Sequence, residues 1–485
     1  MTLSTLIDDH PDDAPALIDV DRRTTYGELR SLVARTRADL VGAGLRERDR
    51  VAIVATNTTS TAVAVLAVTS AGMVAVLLDP TSPASELRSQ VAAVETSLVL
   101  TGREGDEQLH TRVATPAGAA VRGIDPLPEG APIEAAAIDG SRLAVMLFTS
   151  GTAGAPKAAM LSHDNLTSNQ TAIIETRGSG LRTGSVVLAT IPVSHMYGFN
   201  ISLLSTLRVG GTVVFVDHFE PQRCVDLIKR HAVDRFAGVP PMWRAFLDAP
   251  GIPDDAFRDV QRISSGASAL HPALWTEFKE RFGVELQEGY GLTETSPTVT
   301  SHIGIPVRPG TVGKAAPGVE VMVVDDDGNS VPFDDAGEIL VRGPGVFLGY
   351  WGNEEATKAV LDDDGWLHTR DIGVLSEDGY LALVDRAKDL IIVSGFNVYP
   401  FEVETVLVQH PAVRQTIVVG REDERRGERV VAYVTVPEGV DPPELDDLVD
   451  FCRERLARYK CPTELHVVDE LPIAASGKTV RRKLG

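Results

Sequence analysis

Phe148-Thr149-Ser150-Gly151-Thr152-Ala153-Gly154-Ala155-Pro156-Lys157 gathers small, hydroxyl-bearing and glycine residues ahead of a lysine. Glycines let backbone N–H groups close on an anion, threonine and serine add hydroxyl donors, and the lysine adds charge, so the segment reads as a phosphate cradle. It is not an ordinary P-loop. Lys157 follows Gly151 by six residues, but Pro156 stands where that loop has glycine, and Ala158 where it has serine or threonine. A nucleotide held by some other architecture is expected.

Outward from this stretch, apolar runs alternate with helical patterns. Thr25 and Glu28 are spaced as a capping box, and Leu29, Leu32, Val33 and Leu40 follow at near-helical spacing until Gly42 and Gly44. Val51-Ala52-Ile53-Val54, a helix over Thr59 to Ala71, and Val74-Ala75-Val76-Leu77-Leu78 read as a β-α-β unit. Further strands are expected at Leu98 to Leu100, Val186 to Ile191, Val213 to Val216 and around Ile263. The pattern predicts an α/β fold, with a large N-terminal domain of mostly parallel sheets covered by helices. Between about Gly304 and Gly349 short β segments, Val319 to Val324 and Glu338 to Val341, flank the turn Asp325 to Asn329 and predict a small β subdomain. After Asp389 a compact α+β module is expected, with helices over Phe401 to His410 and Leu445 to Leu456 and strands near Gln415 to Val419 and Val430 to Val436.

At 485 residues the chain exceeds one ordinary core, and 43% apolar residues suffice for two. Its net charge of −22 works against nucleic-acid backbones and anionic lipid. No apolar run reaches about 18 residues and the start lacks a basic-then-apolar leader, so neither secretion nor membrane spanning is expected. Cys224, Cys452 and Cys461 have neither metal-ligand spacing nor an even count, which suits a reducing cytoplasm, and no chemistry is assigned to them.

Four more motifs follow in order: Gly289-Tyr290-Gly291-Leu292-Thr293-Glu294-Thr295; Gly365-Trp366-Leu367-His368-Thr369-Arg370-Asp371; Asp385-Arg386-Ala387-Lys388-Asp389 with Ser394-Gly395-Phe396-Asn397-Val398-Tyr399-Pro400; and Pro472 to Arg481 containing Ser476-Gly477-Lys478. With the first, this series resembles the adenylate-forming superfamily of acyl-CoA synthetases, peptide-synthetase adenylation domains and luciferases. The resemblance runs from about Thr25 to Lys483. It implies an N-terminal AMP-binding domain over 1–387 and a small mobile C-terminal domain over 388–485, with the hinge at its start.

A carboxylate resists thiols because its leaving group would be oxide, and such enzymes first convert it to an acyl phosphate. The resemblance implies that Thr149, Ser150, Gly151, Thr152 and Lys157 hold the β- and γ-phosphates of ATP. Thr293 would touch the α-phosphate and Glu294 would ligate Mg²⁺. Glu288, Gly289, Tyr290 and Gly291 would lie against the nucleotide, Tyr290 offering its face to adenine, with Gly266, Ala267 and Ser268 across the base. Asp371 and Arg386 would hold the ribose. Lys478, in a complete Pro-x4-Gly-Lys-x2-Arg pattern of Pro472, Gly477, Lys478 and Arg481, would reach both the carboxylate and the α-phosphate. Lys388 matches the hinge, and Ser394 and Gly395 would face the pantetheine tunnel of coenzyme A. Two positions depart from the family: Ala158 and Arg370 stand where glycine is usual, and Arg370 is expected either to displace its loop or to add a phosphate or acyl contact.

The acyl site is expected along His195, Met196, Tyr197 and Gly198, with Val239, Pro240, Met242 and Trp243 as further walls; His195 matches a residue at the acyl mouth. These walls are apolar and carry no partner for an amino group, so an amino-acid substrate is disfavoured. A medium- or long-chain fatty acid leads, with an aryl acid behind it. CoA leads as acceptor, with a carrier protein behind it. A non-catalytic adenylate binder comes last, because mere binding does not need Lys157, Glu294 and Lys478 together. A monomer or homodimer fits equally well, and peripheral membrane contact stays open.

Overall fold

Runs apolar on both faces belong in the middle of parallel sheets, and they are found there. The computed structural model describes residues 1–19, 22–103, 113, 120–125, 127–149, 157–386, 391–393, 396–423, 426–472 and 484. The strands Arg50–Val54 and Val74–Leu78 pair in parallel, Val51 beside Ala75, inside a six-stranded sheet. Across that sheet the order is Ala120–Asp125, Leu98–Arg103, Arg50–Val54, Val74–Leu78, Leu143–Thr149 and Lys157–Ser162, all parallel except the last. The connecting helix Thr59–Ser70 is buried on nearly every side because it packs between this sheet and the strand Pro15–Asp19 of the next. The Thr25 capping box closes as expected: Glu28 accepts from the Thr25 N–H at 2.8 Å and the Thr25 hydroxyl accepts from the Glu28 N–H at 3.3 Å.

The second sheet has nine strands, and its six inner ones are parallel: Leu286–Gly291, Arg262–Ser265, Arg235–Gly238, Val186–Ala189, Thr212–Phe215 and Pro15–Asp19. Parallel strands end on one edge. The segments after Gly291, Ser265, Gly238 and Ala189, which hold four of the groups singled out in the sequence, therefore leave the sheet side by side at its carboxyl edge, where ligands of open α/β sheets bind.

The β subdomain extends further than the expected Gly304 to Gly349. Its antiparallel sheet runs Glu320–Val324, Ala336–Arg342, Leu367–Leu375 and Leu381–Arg386, so the Asp371 motif is part of it. The C-terminal part is α+β: Phe396–Val398, Ile391–Val393, Gly427–Thr435 and Gln415–Asp423 in order, with Glu464–Val467 also paired to Gly427–Thr435. The helices Pro400–Leu407 and Leu445–Arg453, both shorter than expected, cover a core that includes Val393, Val403, Leu407, Ala432, Val434 and Leu448. This part rests on the N-terminal one through the stacked rings of Phe401 and His271, 4.9 Å between centroids, and an Arg414–Asp248 ion pair.

Candidate active site

The phosphate motif joins two antiparallel strands, Leu143–Thr149 and Lys157–Ser162, whose register sets Thr149 opposite Lys157. Ser150, Gly151 and Thr152 lie outside the described residues; the two ends of their loop do not. The Lys157 ammonium sits 5.1 Å from the centroid of the Tyr350 ring. The Tyr350 hydroxyl donates to Glu294 Oε1 at 2.7 Å. One aromatic side chain thus joins the lysine expected at the phosphates to the glutamate expected at Mg²⁺. Tyr350 was not singled out in the sequence.

Thr293 and Glu294 lie on the short turn Thr293–Thr295 after the strand Leu286–Gly291. Side-chain amides hold that turn from outside. On the helix His163–Glu175, Asn169 Nδ2 donates to the carbonyls of Thr295 at 3.2 Å and Thr298 at 2.9 Å. One helical turn earlier, Asn165 Nδ2 donates to Pro344 O at 2.9 Å and Val346 O at 2.8 Å. Asn200 Nδ2 donates to Ser296 O at 2.6 Å. The Phe347 N–H donates to Glu294 O at 2.8 Å, tying the segment that carries Tyr350 to the glutamate's own backbone. Asn165 is the N3 residue of the Ser162 capping box, but Asn169, one turn further on, is a poor helix former in a helix interior and was the available signal for this brace.

On the nucleoside side, the Tyr290 hydroxyl donates to Asp371 Oδ2 at 2.7 Å, and both residues are buried. Asp371 pairs in register with Arg386, bringing those two positions onto neighbouring strands. Arg370 adopts a left-handed φ of +60°, a conformation that favours glycine, which accounts for the glycine usual there. Its guanidinium donates to Ala359 O at 3.1 Å and its N–H to Glu338 Oε1 at 2.9 Å. In this structure both groups of Arg370 are thus engaged within the protein. Glu288 is also turned inward: Oε1 accepts from the Leu270 N–H at 2.9 Å, and burial raises its carboxyl to about 8. Its side chain holds Leu270, just past the Gly266-Ala267-Ser268 segment. Gly291 is required by packing, since a Cβ there would meet Pro297 O at 1.9 Å.

The acyl-side motif follows the strand Val186–Ala189 and enters a turn of π-helix, Tyr197–Leu204, a form frequent at functional sites. The Asn57 amide spreads its N–H groups over the carbonyls of Ala189, Ile191 and Val216, while its oxygen accepts from the Val193 N–H at 2.9 Å. His195 Nδ1 accepts from the Tyr197 N–H at 3.3 Å, which leaves the ring proton of the neutral form on Nε2. The Tyr197 ring lies against Gly266, where a Cβ would come within 2.9 Å of it, and its hydroxyl donates to Ser264 Oγ at 3.0 Å. Gly198 leaves no room for a side chain, a Cβ falling 2.4 Å from Pro192 O.

Two expected acyl walls face elsewhere. Met196 is fully buried in the main N-terminal core. Trp243 is fully buried among Phe236, Phe246 and Phe278 and donates its indole N–H to Ser265 Oγ at 3.0 Å. Neighbours on a helix diverge by about 100°, so Met242 turns the other way from Trp243. It joins Val239, Ile191 and Ala237 in a small apolar cluster with Tyr197 and Ala267 against it. Pro240 starts the helix Pro240–Asp248 beneath them. Lys478, Lys388, Ser394 and Gly395 lie outside the described residues.

Residues 5–351 match the family model of the AMP-binding enzyme, and residues 402–478 that of the AMP-binding enzyme C-terminal domain. The chain belongs to the AMP-binding enzyme family. It is 33% identical to a long-chain-fatty-acid–CoA ligase of Salmonella typhimurium over 522 aligned positions, covering 97% of this chain and 91% of that one. It is 34% identical to 4-coumarate–CoA ligase-like 9 of Oryza sativa subsp. japonica, covering 96% and 87%. The ATP-bound crystal structure of MatB from Rhodopseudomonas palustris superposes with a TM-score of 0.92 at 31% identity, covering 100% and 98%. As an AMP-binding enzyme of this kind the chain is an acid–thiol ligase using ATP and CoA.

The residues present suit Mg²⁺. Among the described residues no group of three or more His, Cys, Asp or Glu side chains could cage a metal. Mg²⁺ seldom uses such a cage; it takes one or two carboxylates and completes its shell with water and substrate phosphate oxygens. Glu294, linked to Lys157 through Tyr350, carries a carboxylate of that kind, and an ion there would neutralise charge on the phosphates.

Proposed function

We propose that the protein activates an apolar carboxylic acid, with an aliphatic chain of medium or long length as the leading candidate, and transfers its acyl group to CoA. The observation that carries this reading is the apolar cluster of Ile191, Ala237, Val239 and Met242 beside Tyr197 and Ala267, placed at the same sheet edge as Thr293 and Glu294. In the first step a carboxylate oxygen bonds to the α-phosphorus of ATP while the bond to pyrophosphate breaks. Lys157 takes charge on the β- and γ-phosphates, Thr293 hydrogen-bonds the α-phosphate, and Asp371, steadied by Tyr290, holds the ribose. Lys478 meets carboxylate and α-phosphate together, lowering their mutual repulsion as they approach. In the second step the CoA sulfur bonds to the acyl carbon and the bond to AMP breaks. For that step the domain over 388–485 rotates about Lys388, withdrawing Lys478 and bringing Gly395 to the thiol's path.

An aryl acid is the second reading, favoured by the Tyr197 ring lying against Gly266, an aromatic surface on which a planar acid could stack. The test is pyrophosphate release with ATP and Mg²⁺ across aliphatic, aryl and amino acids, each with and without CoA. Turnover of aliphatic acids accelerated by CoA supports the proposal. Preference for aryl acids moves it to the second reading. Release indifferent to CoA points to a carrier-protein acceptor, and no release removes the ligase reading.

A further inference from the structure

Tyr350 lies outside every motif that announced the site, yet its position is set by backbone bonds to both sides of that site. Residues 348–351 run as an extra strand along Lys157–Ser162: Leu348 N–H donates to Met160 O, Met160 N–H to Gly349 O, and Trp351 N–H to Ala158 O, each at 2.9 Å. This ladder makes Tyr350 the antiparallel partner of Ala159, so its ring falls on the face of the strand that Lys157 shares. The nearby Phe347 N–H bonds to the Glu294 carbonyl. The ring is packed edge-on against buried Phe347, 4.9 Å between centroids, and the Tyr350 N–H is fixed by Thr357 Oγ1 at 2.9 Å. Little rotamer freedom remains.

We infer that Tyr350 is a positioning residue for both charged groups at the triphosphate: its hydroxyl orients the Glu294 carboxylate toward Mg²⁺ while its ring face supports the Lys157 ammonium. The inference rests on the ligase reading above. Each half has a physical basis. A hydroxyl donated to one carboxylate oxygen leaves the second oxygen for the metal and fixes the plane of the group, as outer-shell partners of metal ligands do. A cation over a tyrosine ring is attracted by the ring's quadrupole, and the same contact keeps Lys157 from folding onto Glu294 and neutralising it before nucleotide arrives.

The test measures binding, independent of turnover. The ligands are a non-hydrolysable ATP analogue, titrated by calorimetry across Mg²⁺ concentrations, and AMP, which lacks the β- and γ-phosphates. The proteins are wild type, Tyr350→Phe, Tyr350→Leu, Glu294→Gln and the Tyr350→Phe/Glu294→Gln double variant. Tyr350→Phe keeps the ring and loses the hydroxyl, so the Mg²⁺ concentration for half-maximal analogue binding should rise about tenfold, the scale of a hydrogen bond to a charged group. AMP affinity should change less than about twofold, well inside the tenfold that 1.4 kcal/mol represents. Tyr350→Leu should also weaken analogue binding without Mg²⁺, since Lys157 then loses its support. In the Glu294→Gln background Tyr350→Phe should have no further effect on the Mg²⁺ dependence. Equal weakening of AMP and analogue by Tyr350→Phe, or an undiminished effect beside Glu294→Gln, would show a merely structural tyrosine and overturn the inference. A wild type with no Mg²⁺-dependent analogue binding would remove the ligase reading and this inference with it; a wild type that binds while Tyr350→Phe matches it would remove the inference alone.

Discussion

Replacing Glu288 by glutamine should stabilise the protein at neutral pH, although it alters the residue directly before a signature motif. The Glu288 carboxyl is buried in the strand Leu286–Gly291, and burial raises it from an ordinary 4.5 to about 8, opposed only by the hydrogen bond from Leu270. The folded protein therefore keeps a proton that the unfolded chain releases, and stability falls as pH rises from 4.5 toward 8. Each pH unit inside that window costs about 1.4 kcal/mol, which gives under 1 kcal/mol at pH 5, about 3 kcal/mol at pH 7 and a limit of about 5 kcal/mol above pH 8. A glutamine carbonyl still accepts from Leu270 and has no proton to lose. Equilibrium urea unfolding of wild type and Glu288→Gln, followed by tryptophan fluorescence at pH 5, 6, 7 and 8, measures the difference locally. Trp243 lies in the adjoining aromatic core and Trp275 donates to Leu286 O at 3.0 Å. The advantage of the variant should grow steadily with pH. Parallel pH profiles for the two proteins would refute the reasoning, and a variant less stable at pH 7 would show that Glu288 is ionised and paired there. Glu288→Leu is the contrasting case, since it leaves the Leu270 N–H without its acceptor at a cost of about 1–3 kcal/mol.

Lys478→Ala should abolish pyrophosphate release while leaving CoA transfer from supplied acyl-AMP largely intact; equal loss of both steps would contradict its placement in the first step alone. Gly395→Leu should do the reverse, forming adenylate but failing to pass it to CoA, and normal CoA turnover would take Gly395 out of the thiol's path. Asn169→Ala leaves the carbonyls of Thr295 and Thr298 without their amide donor, so KM for ATP should rise more than KM for the acid; a uniform loss of stability with unchanged KM values would make Asn169 a packing residue only.

What was legible in the sequence follows from where the apolar residues lie. Val51 to Val54 and Val74 to Leu78 are buried on both faces, so their unbroken apolar runs announced central parallel strands. The β subdomain was cut short at Gly349 because the strand Leu367–Leu375 contains His368, Thr369, Arg370 and Asp371, polar residues that read as a motif and hide the alternation of a strand. The two expected acyl walls Met242 and Trp243 part for a geometric reason: they are neighbours in the chain, but their helix sends one to the small apolar cluster and the other to the aromatic core. Tyr350 could not be found, because the glutamate it serves is 56 residues away and no local pattern connects them.

The candidate site draws on three sheets: Thr149 ends and Lys157 begins strands of the six-stranded sheet, Thr293, Gly266, Val239 and His195 follow strands of the nine-stranded one, and Asp371 belongs to the antiparallel one. Carbonyls at strand ends have no neighbouring strand to bond, and at a buried junction each would cost free energy if left unpaired. Asparagine solves this with two donors and an acceptor on one short side chain. Asn57, just past the strand Arg50–Val54, binds the carbonyls of Ala189, at the end of a strand of the nine-stranded sheet, and of Ile191 and Val216 just beyond its strands, while Asn165 and Asn169 hold Pro344, Val346, Thr295 and Thr298. An apolar joint could bury as much area, but it would let the sheets slide, because hydrophobic contact is non-directional. Hydrogen bonds with fixed lengths do not slide. The amides that satisfy these buried carbonyls thus also tie together the segments that carry Glu294 and Tyr350, the two ends of the hydrogen bond on which the inference above rests.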